Sequence, residues 1–150
     1  MTMLLLPPAL KAQIESEARA AFPHECCGLI EGARAGDAIP VTALHLSPNL
    51  SAARDRFEID PAVHFNALRA ARANGLEIVG CYHSHPNGTA EPSVRDVAGA
   101  GEEGFVWLIA SLGEPGTPVQ LGAFAFTGAR FEPLKIGIWG SLDPAAGLRL

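Results

Sequence analysis

The sequence predicts an α/β fold in which a mixed, largely antiparallel sheet is flanked by helices, and three observations carry that prediction. Two segments, 8–22 and 60–75, repeat apolar residues at helical spacing between proline openings and clear stop signals. Short apolar runs of strand length separate and follow them. The last three runs, 105–112, 119–126 and 131–136, lie close enough in sequence to pair as antiparallel hairpins.

Leu10, Ile14, Ala18 and Ala21 share one face of an amphipathic helix that Pro8 opens and Pro23 closes. Cys26 to Glu31 is a short apolar strand bounded by Glu25 and Gly32, and Ile39 to Leu46 alternates as a second. Residues 48–54 read as a loop and Arg56 to Ile59 as a brief strand. Asp60 then caps a helix with Pro61 in its first turn; Phe65 and Leu68 mark its buried face, and Gly75 stops it. Leu76 to Tyr82 is almost wholly apolar, as in a strand covered on both faces, and it delivers the chain straight to His83. After the loop Pro86 to Pro92, Ser93 to about Gly101 reads as a third helix. In the strands beyond it, Phe105 and Trp107 are expected in the core.

With 48% apolar and 18% charged residues, the 150 residues are expected to form one domain over 1–150, of which 136–150 is a tail with no assigned element. The formal charge of −5 and the lack of any Lys or Arg cluster argue against a nucleic-acid partner. Leu4-Leu5-Leu6 has no charged segment before it and prolines at 7 and 8, so it reads as neither a signal peptide nor a membrane span. Cys26, Cys27 and Cys81 suit neither a disulfide framework nor a zinc knuckle and are expected to be small buried hydrophobes in a reducing cytoplasm.

The stretch that carries chemistry is Cys81-Tyr82-His83-Ser84-His85-Pro86, followed by Pro92-Ser93-Val94-Arg95-Asp96. In extended backbone, residues i and i+2 face the same side, so His83 and His85 can offer two imidazoles to one metal ion. Asp96, in the first turn of the next helix, can swing a carboxylate back to complete a His-His-Asp set. Two neutral nitrogens and a carboxylate suit zinc, and three protein ligands leave a fourth position for water. A base must still take the proton of that water. Glu25, at the mouth of the first predicted strand, is the candidate; Glu31, Glu58, Glu77 and Glu91 compete with it on spacing alone. Ser93-x-x-Asp96 also fits a helix-capping box, which accounts for both residues without any metal. His24, His45 and His64 lack partners at ligand spacing.

Together these residues resemble the JAMM (MPN-domain) metallopeptidase family, whose pattern is a glutamate followed far downstream by H-x-H-P and then S-x-x-D. Glu25, His83, His85, Pro86, Ser93 and Asp96 occupy those positions, and Pro23 to Leu29 is similar to the family's P-x-E-x-C-G-L segment apart from the doubled Cys26-Cys27. The resemblance implies an MPN, cytidine deaminase-like sandwich and one zinc ion on His83, His85 and Asp96. It makes Glu25 the base that activates water and reprotonates the leaving amine, and Ser93 a hydrogen-bond donor to the oxyanion. The chain is short, like the compact prokaryotic members, which implies as partner a ubiquitin-like or ThiS/MoaD-type sulfur carrier whose Gly-Gly tail lies as an added strand in a groove leading to the metal. The implied reaction is peptide or isopeptide cleavage after that tail. Two other readings compete: a non-catalytic MPN scaffold, and a thiol enzyme using Cys27 or Cys81 with His83. The sequence leaves open the carrier, the bond type and the oligomeric state, a homodimer included.

Overall fold

The computed structural model describes residues 2–93, 96, 101–113 and 116–138. Among them run β1 (Met3–Leu5), α1 (Pro8–Ala21), β2 (Cys27–Gly32), β3 (Ala38–Ser47), α2 (Pro61–Ala73), β4 (Glu77–His85), β5 (Val106–Ser111), β6 (Gln120–Phe126) and β7 (Phe131–Gly137). The sheet is not the helix-flanked open sandwich expected from the sequence. It closes into a barrel in the order β1-β3-β2-β4-β5-β6-β7.

Closure rests on β1, which pairs in parallel with β3 (Met3 opposite Ala38) and with β7 (Met3 opposite Lys135). A three-residue strand has no period to detect, and both its partners are remote in sequence, so Leu4-Leu5-Leu6 could be read only as an apolar run. Leu4 and Leu6 are in fact fully buried, and they anchor the main core. Parallel pairing also joins β4 to β5, while β2–β3, β2–β4, β5–β6 and β6–β7 are antiparallel.

Both helices obey their sequence signals at the ends. Asp60 accepts a hydrogen bond from the Ala62 N–H at 2.9 Å and Pro61 occupies the first turn of α2, a cap worth about 1 kcal/mol. Its buried face is not the one expected, however. Ala67 and Ala71 pack inward, whereas Phe65 and Leu68 remain 59% and 43% exposed. Ala67 clusters with Leu29, Cys81 and Trp107, and Arg69 lies over the Phe65 ring. Arg56–Ile59 forms no strand beyond a single bridge between Asn49 and Ile59. The helix expected at 93–101 falls mainly outside the described residues, as does most of the 136–150 tail; Asp96 itself is helical. No helix among the described residues is long and apolar enough to cross a membrane.

One irregularity positions the site. Against β2, Ile30 faces Gly80 and Glu31 faces Ile78, so Val79 is an extra residue in β4. The bulge resets which way the rest of the strand points. Val79 and Tyr82 enter the core with Ile14 and Ala18 of α1, whereas Cys81 joins Leu29, Ala67 and Trp107 on the α2 side. Alternation then carries His83 and His85 to the side of Cys81 and turns Ser84 the other way.

Candidate metal centre

β4 continues three residues past the expected end at Tyr82, so both histidines lie on regular strand, His83 paired with β2 and β5 and His85 with β5. This holds their side chains at fixed spacing: His83 is fully buried, His85 nearly so, and their Nε2 atoms are 2.9 Å apart. Asp96 brings Oδ2 to 3.3 Å from His83 Nε2 and 3.1 Å from His85 Nε2. Three ligand-type atoms therefore converge. Around a tetrahedral zinc with bonds of about 2.0–2.1 Å, ligand atoms stand roughly 3.3–3.4 Å apart, so small outward shifts would admit the ion.

Glu25 offers a carboxylate oxygen to the same point: it and the two histidine nitrogens lie within 4.8 Å of one another. The competing glutamates are elsewhere. Glu31 is buried against His45 and the Asn74 side chain, Glu77 pairs with Arg34, and Glu58 and Glu91 are exposed. Glu25 is 4% exposed and its Oε1 has no hydrogen-bond partner among the described residues. Burial pushes its carboxyl up to about 7, against a downward pull from His85 and a further upward push from Asp96 and Asp55.

The ligand-type residues titrate in opposite directions. Burial alone would lower both imidazoles, and it does lower His83; for His85 the hydrogen bond and charge of Asp96 outweigh burial and raise it. Burial likewise disfavours the Asp96 anion, but hydrogen bonds from the two histidines hold its carboxyl well below the usual range. His85 Nδ1 lies 3.1 Å from the Thr89 carbonyl, an acceptor that keeps the proton of the neutral imidazole on Nδ1, so that once the Nε2 proton shared with Asp96 is lost Nε2 would be bare for a metal.

Ser93 and Asp96 also make the capping box: Ser93 N–H donates to Asp96 Oδ2 at 2.8 Å and Asp96 N–H donates to Ser93 Oγ at 3.1 Å. The cap and the metal-facing role are therefore not alternatives. The Ser93 N–H helps aim the carboxylate oxygen that faces the histidines.

Two positions were not singled out in the sequence. Ser84, buried between the histidines and facing away from them, accepts from the Cys26 N–H at 2.8 Å while its own N–H donates to the Cys26 carbonyl at 3.1 Å. It thus ties the histidine strand to the residue after Glu25. The strict alternation of His-Ser-His is the signal that could have shown Ser84 facing the opposite layer. Asn49 donates from Nδ2 to the Glu25 carbonyl at 3.0 Å, a contact for which the sequence carries no sign. The three cysteines are free and buried, and burial pushes the Cys26 and Cys27 thiols up to about 11 and about 12. A neutral thiol is a poor nucleophile, which runs against the thiol-enzyme reading.

Two clefts meet at this point. One of about 520 Å³ is bordered by Phe22, Glu25, Arg54, His85, Asn87 and Ser93; a larger one of about 1170 Å³ reaches Asp96 from the side of Phe57, Leu68, Ile78 and Trp107.

Residues 7–122, which include all of these side chains, match the family described as prokaryotic homologs of the JAB domain. The chain belongs to that family. This prokaryotic JAB group is the JAMM group that the sequence resembled. The chain is 35% identical over 117 residues to a desampylase of Haloferax volcanii, covering 77% of this chain and 79% of the relative. It is 35% identical over 96 residues to a probable TtuB-protein conjugate cleaving protease of Thermus thermophilus, covering 63% of this chain and 62% of that one. Among solved structures, a protein of Desulfitobacterium hafniense superposes on this JAB-family chain with a TM-score of 0.80 at 30% identity over 92% of each. One of Salinibacter ruber gives a TM-score of 0.68 at 32% identity, over 97% of this chain and 94% of the other.

Proposed function

We propose that the chain is a zinc-dependent peptidase or isopeptidase cutting after the Gly-Gly tail of a ubiquitin-like or sulfur-carrier protein. The observation that carries this reading is the convergence of His83 Nε2, His85 Nε2 and Asp96 Oδ2 beside a buried Glu25 carboxyl with an unpartnered oxygen. His83, His85 and Asp96 would hold the ion. When bound, zinc supplies Lewis acidity toward water and a carbonyl oxygen.

The chain's own residues do the rest. Glu25 takes a proton from the attacking water and returns it to the leaving amine, so that one carboxyl serves first as base and then as acid. A carboxyl pushed toward neutrality by burial is suited to both steps. Ser93, whose oxygen accepts from Asp96 N–H, keeps a hydroxyl proton to donate to the oxyanion.

The names of the two relatives support a protein conjugate as substrate. The β2 ladder ends at His83, so an added strand would have only the His85 end of β4 free to pair with, and the tail would otherwise run through the clefts beside it. The absence of side chains in Gly-Gly would let the scissile carbonyl approach a centre crowded by Phe57, Trp107 and His85.

The test is incubation of zinc-loaded protein with a Gly-Gly-tailed carrier joined through its C-terminus to cysteine or to a lysine side chain. Mass spectrometry should find the carrier ending at the second glycine. Absence of cleavage for both linkages would overturn the substrate assignment.

A further inference from the structure

The two histidines are held in different ways. His85 donates from Nδ1 to a backbone carbonyl, the usual second anchor of a metal-binding imidazole. His83 has no such anchor: among the described residues its Nδ1 is buried without a partner. Its ring is held by aromatic contacts. Phe57 stacks on it at a centroid distance of 4.4 Å and 19° between planes, and Trp107 meets it at 5.3 Å and 88°. A face-stacked neighbour restricts rotation about the Cβ–Cγ bond, the freedom that a missing hydrogen bond leaves loose.

Phe57 lies outside regular secondary structure, so something must hold its backbone. Asn49 does. Its Nδ2 donates to the Arg56 carbonyl at 3.0 Å and its Oδ1 accepts from the Glu58 N–H at 2.9 Å, bracketing Phe57 on both sides. The same Nδ2 donates to the Glu25 carbonyl, and Oδ1 also accepts from Ser51 N–H at 3.0 Å. All four hydrogen-bonding positions of the amide are used. One side chain therefore fixes the backbone of Glu25 and the turn that carries the ring over His83.

We infer that Asn49 and Phe57 are positioning residues of the metal centre: Phe57 does for His83 what the Thr89 carbonyl does for His85, and Asn49 holds Phe57 and Glu25 in one register. The inference rests on the reading of His83 as a metal ligand. It predicts that a residue touching no ligand atom of the ion sets its affinity.

The experiment measures zinc affinity by competition with a chromogenic chelator, and the visible absorption of the cobalt-substituted protein. The proteins compared are wild type, His83→Ala, Phe57→Leu, Phe57→Tyr and Asn49→Asp. Phe57→Leu should bind zinc about 10-fold more weakly and shift the cobalt bands, as loss of an outer anchor does elsewhere. Phe57→Tyr keeps the ring and should match wild type. Asn49→Asp loses both donors; it should weaken zinc in the same direction and lower kcat with little change in KM. Folded Phe57→Leu and Asn49→Asp with wild-type affinity and spectra, altered only in thermal stability, would overturn the inference. If Phe57→Leu does not fold, Asn49→Asp decides alone. Equal zinc binding by wild type and His83→Ala would instead overturn the metal reading on which the inference stands.

Discussion

Glu25→Gln should make the metal-free protein more stable at alkaline pH while abolishing hydrolysis. Burial moves the Glu25 carboxyl from its ordinary 4.5 up to about 7, so the folded state holds its proton where the unfolded chain has released it. Below pH 4.5 both states are protonated and nothing is lost. As pH rises from there to about 7 the folded state loses stability, and above that the loss is complete, at about 3 kcal/mol in full. Gln is neutral throughout, so the wild type should fall relative to Glu25→Gln by about 2.5 kcal/mol between about pH 5 and pH 8. Comparing the two pH values cancels the fixed cost of seating an amide in the pocket. Urea denaturation of both proteins in the presence of a chelator measures it directly. Parallel stability profiles for the two proteins would show that Glu25 does not ionise against a burial cost, and would remove the physical basis for its role as a base near neutrality.

Asp96→Asn keeps an acceptor for the cap but loses the anion that the two histidine hydrogen bonds favour, so near neutral pH metal-free stability should fall and zinc binding, read by calorimetry, collapse. If zinc binding stays intact, the carboxylate is a cap alone. Ser84→Ala leaves the Cys26 N–H without its acceptor in a buried place, which should cost about 1–3 kcal/mol in chemical denaturation and lower kcat without releasing zinc. Gly80→Ala would press its methyl into the Val106 carbonyl and part β4 from β5 just before His83. It should lower the melting temperature by several degrees, and an unchanged melting curve would contradict the described pairing. Iodoacetamide at about pH 8 should leave hydrolysis intact, because the buried thiols stay protonated, whereas rapid loss of turnover with zinc retained would revive the thiol reading.

How much of this was legible in the sequence depended on range. Local signals held: Pro8 and Asp60-Pro61 open the two helices, and the apolar run before His83 is a strand buried on both faces. Barrel closure was not legible, since it depends on three residues at β1 finding β3 and β7 at once. The buried face of α2 was misread because hydrophobicity ranked Phe65 and Leu68 above the alanines, while it is Ala67 and Ala71 that the fold buries. At the centre, spacing put His83 and His85 on one face, and Asp96 Oδ2 lies 3.3 and 3.1 Å from their Nε2 atoms. The structure also shows that Ser93 and Asp96 form the cap, a choice that spacing had posed as exclusive. Asn49 was invisible because its partners, Glu25, Arg56 and Glu58, are backbone groups that bear no residue-specific mark.

The central claim is tested most directly by one titration. Metal-free protein is mixed with a carrier conjugated through its Gly-Gly tail, and cleavage is followed as zinc is added. Cleavage should be absent without metal, should saturate at one zinc per chain, and should be absent at any zinc level for Glu25→Gln. Cleavage by the metal-free protein, or by zinc-loaded Glu25→Gln at the wild-type rate, would contradict that claim.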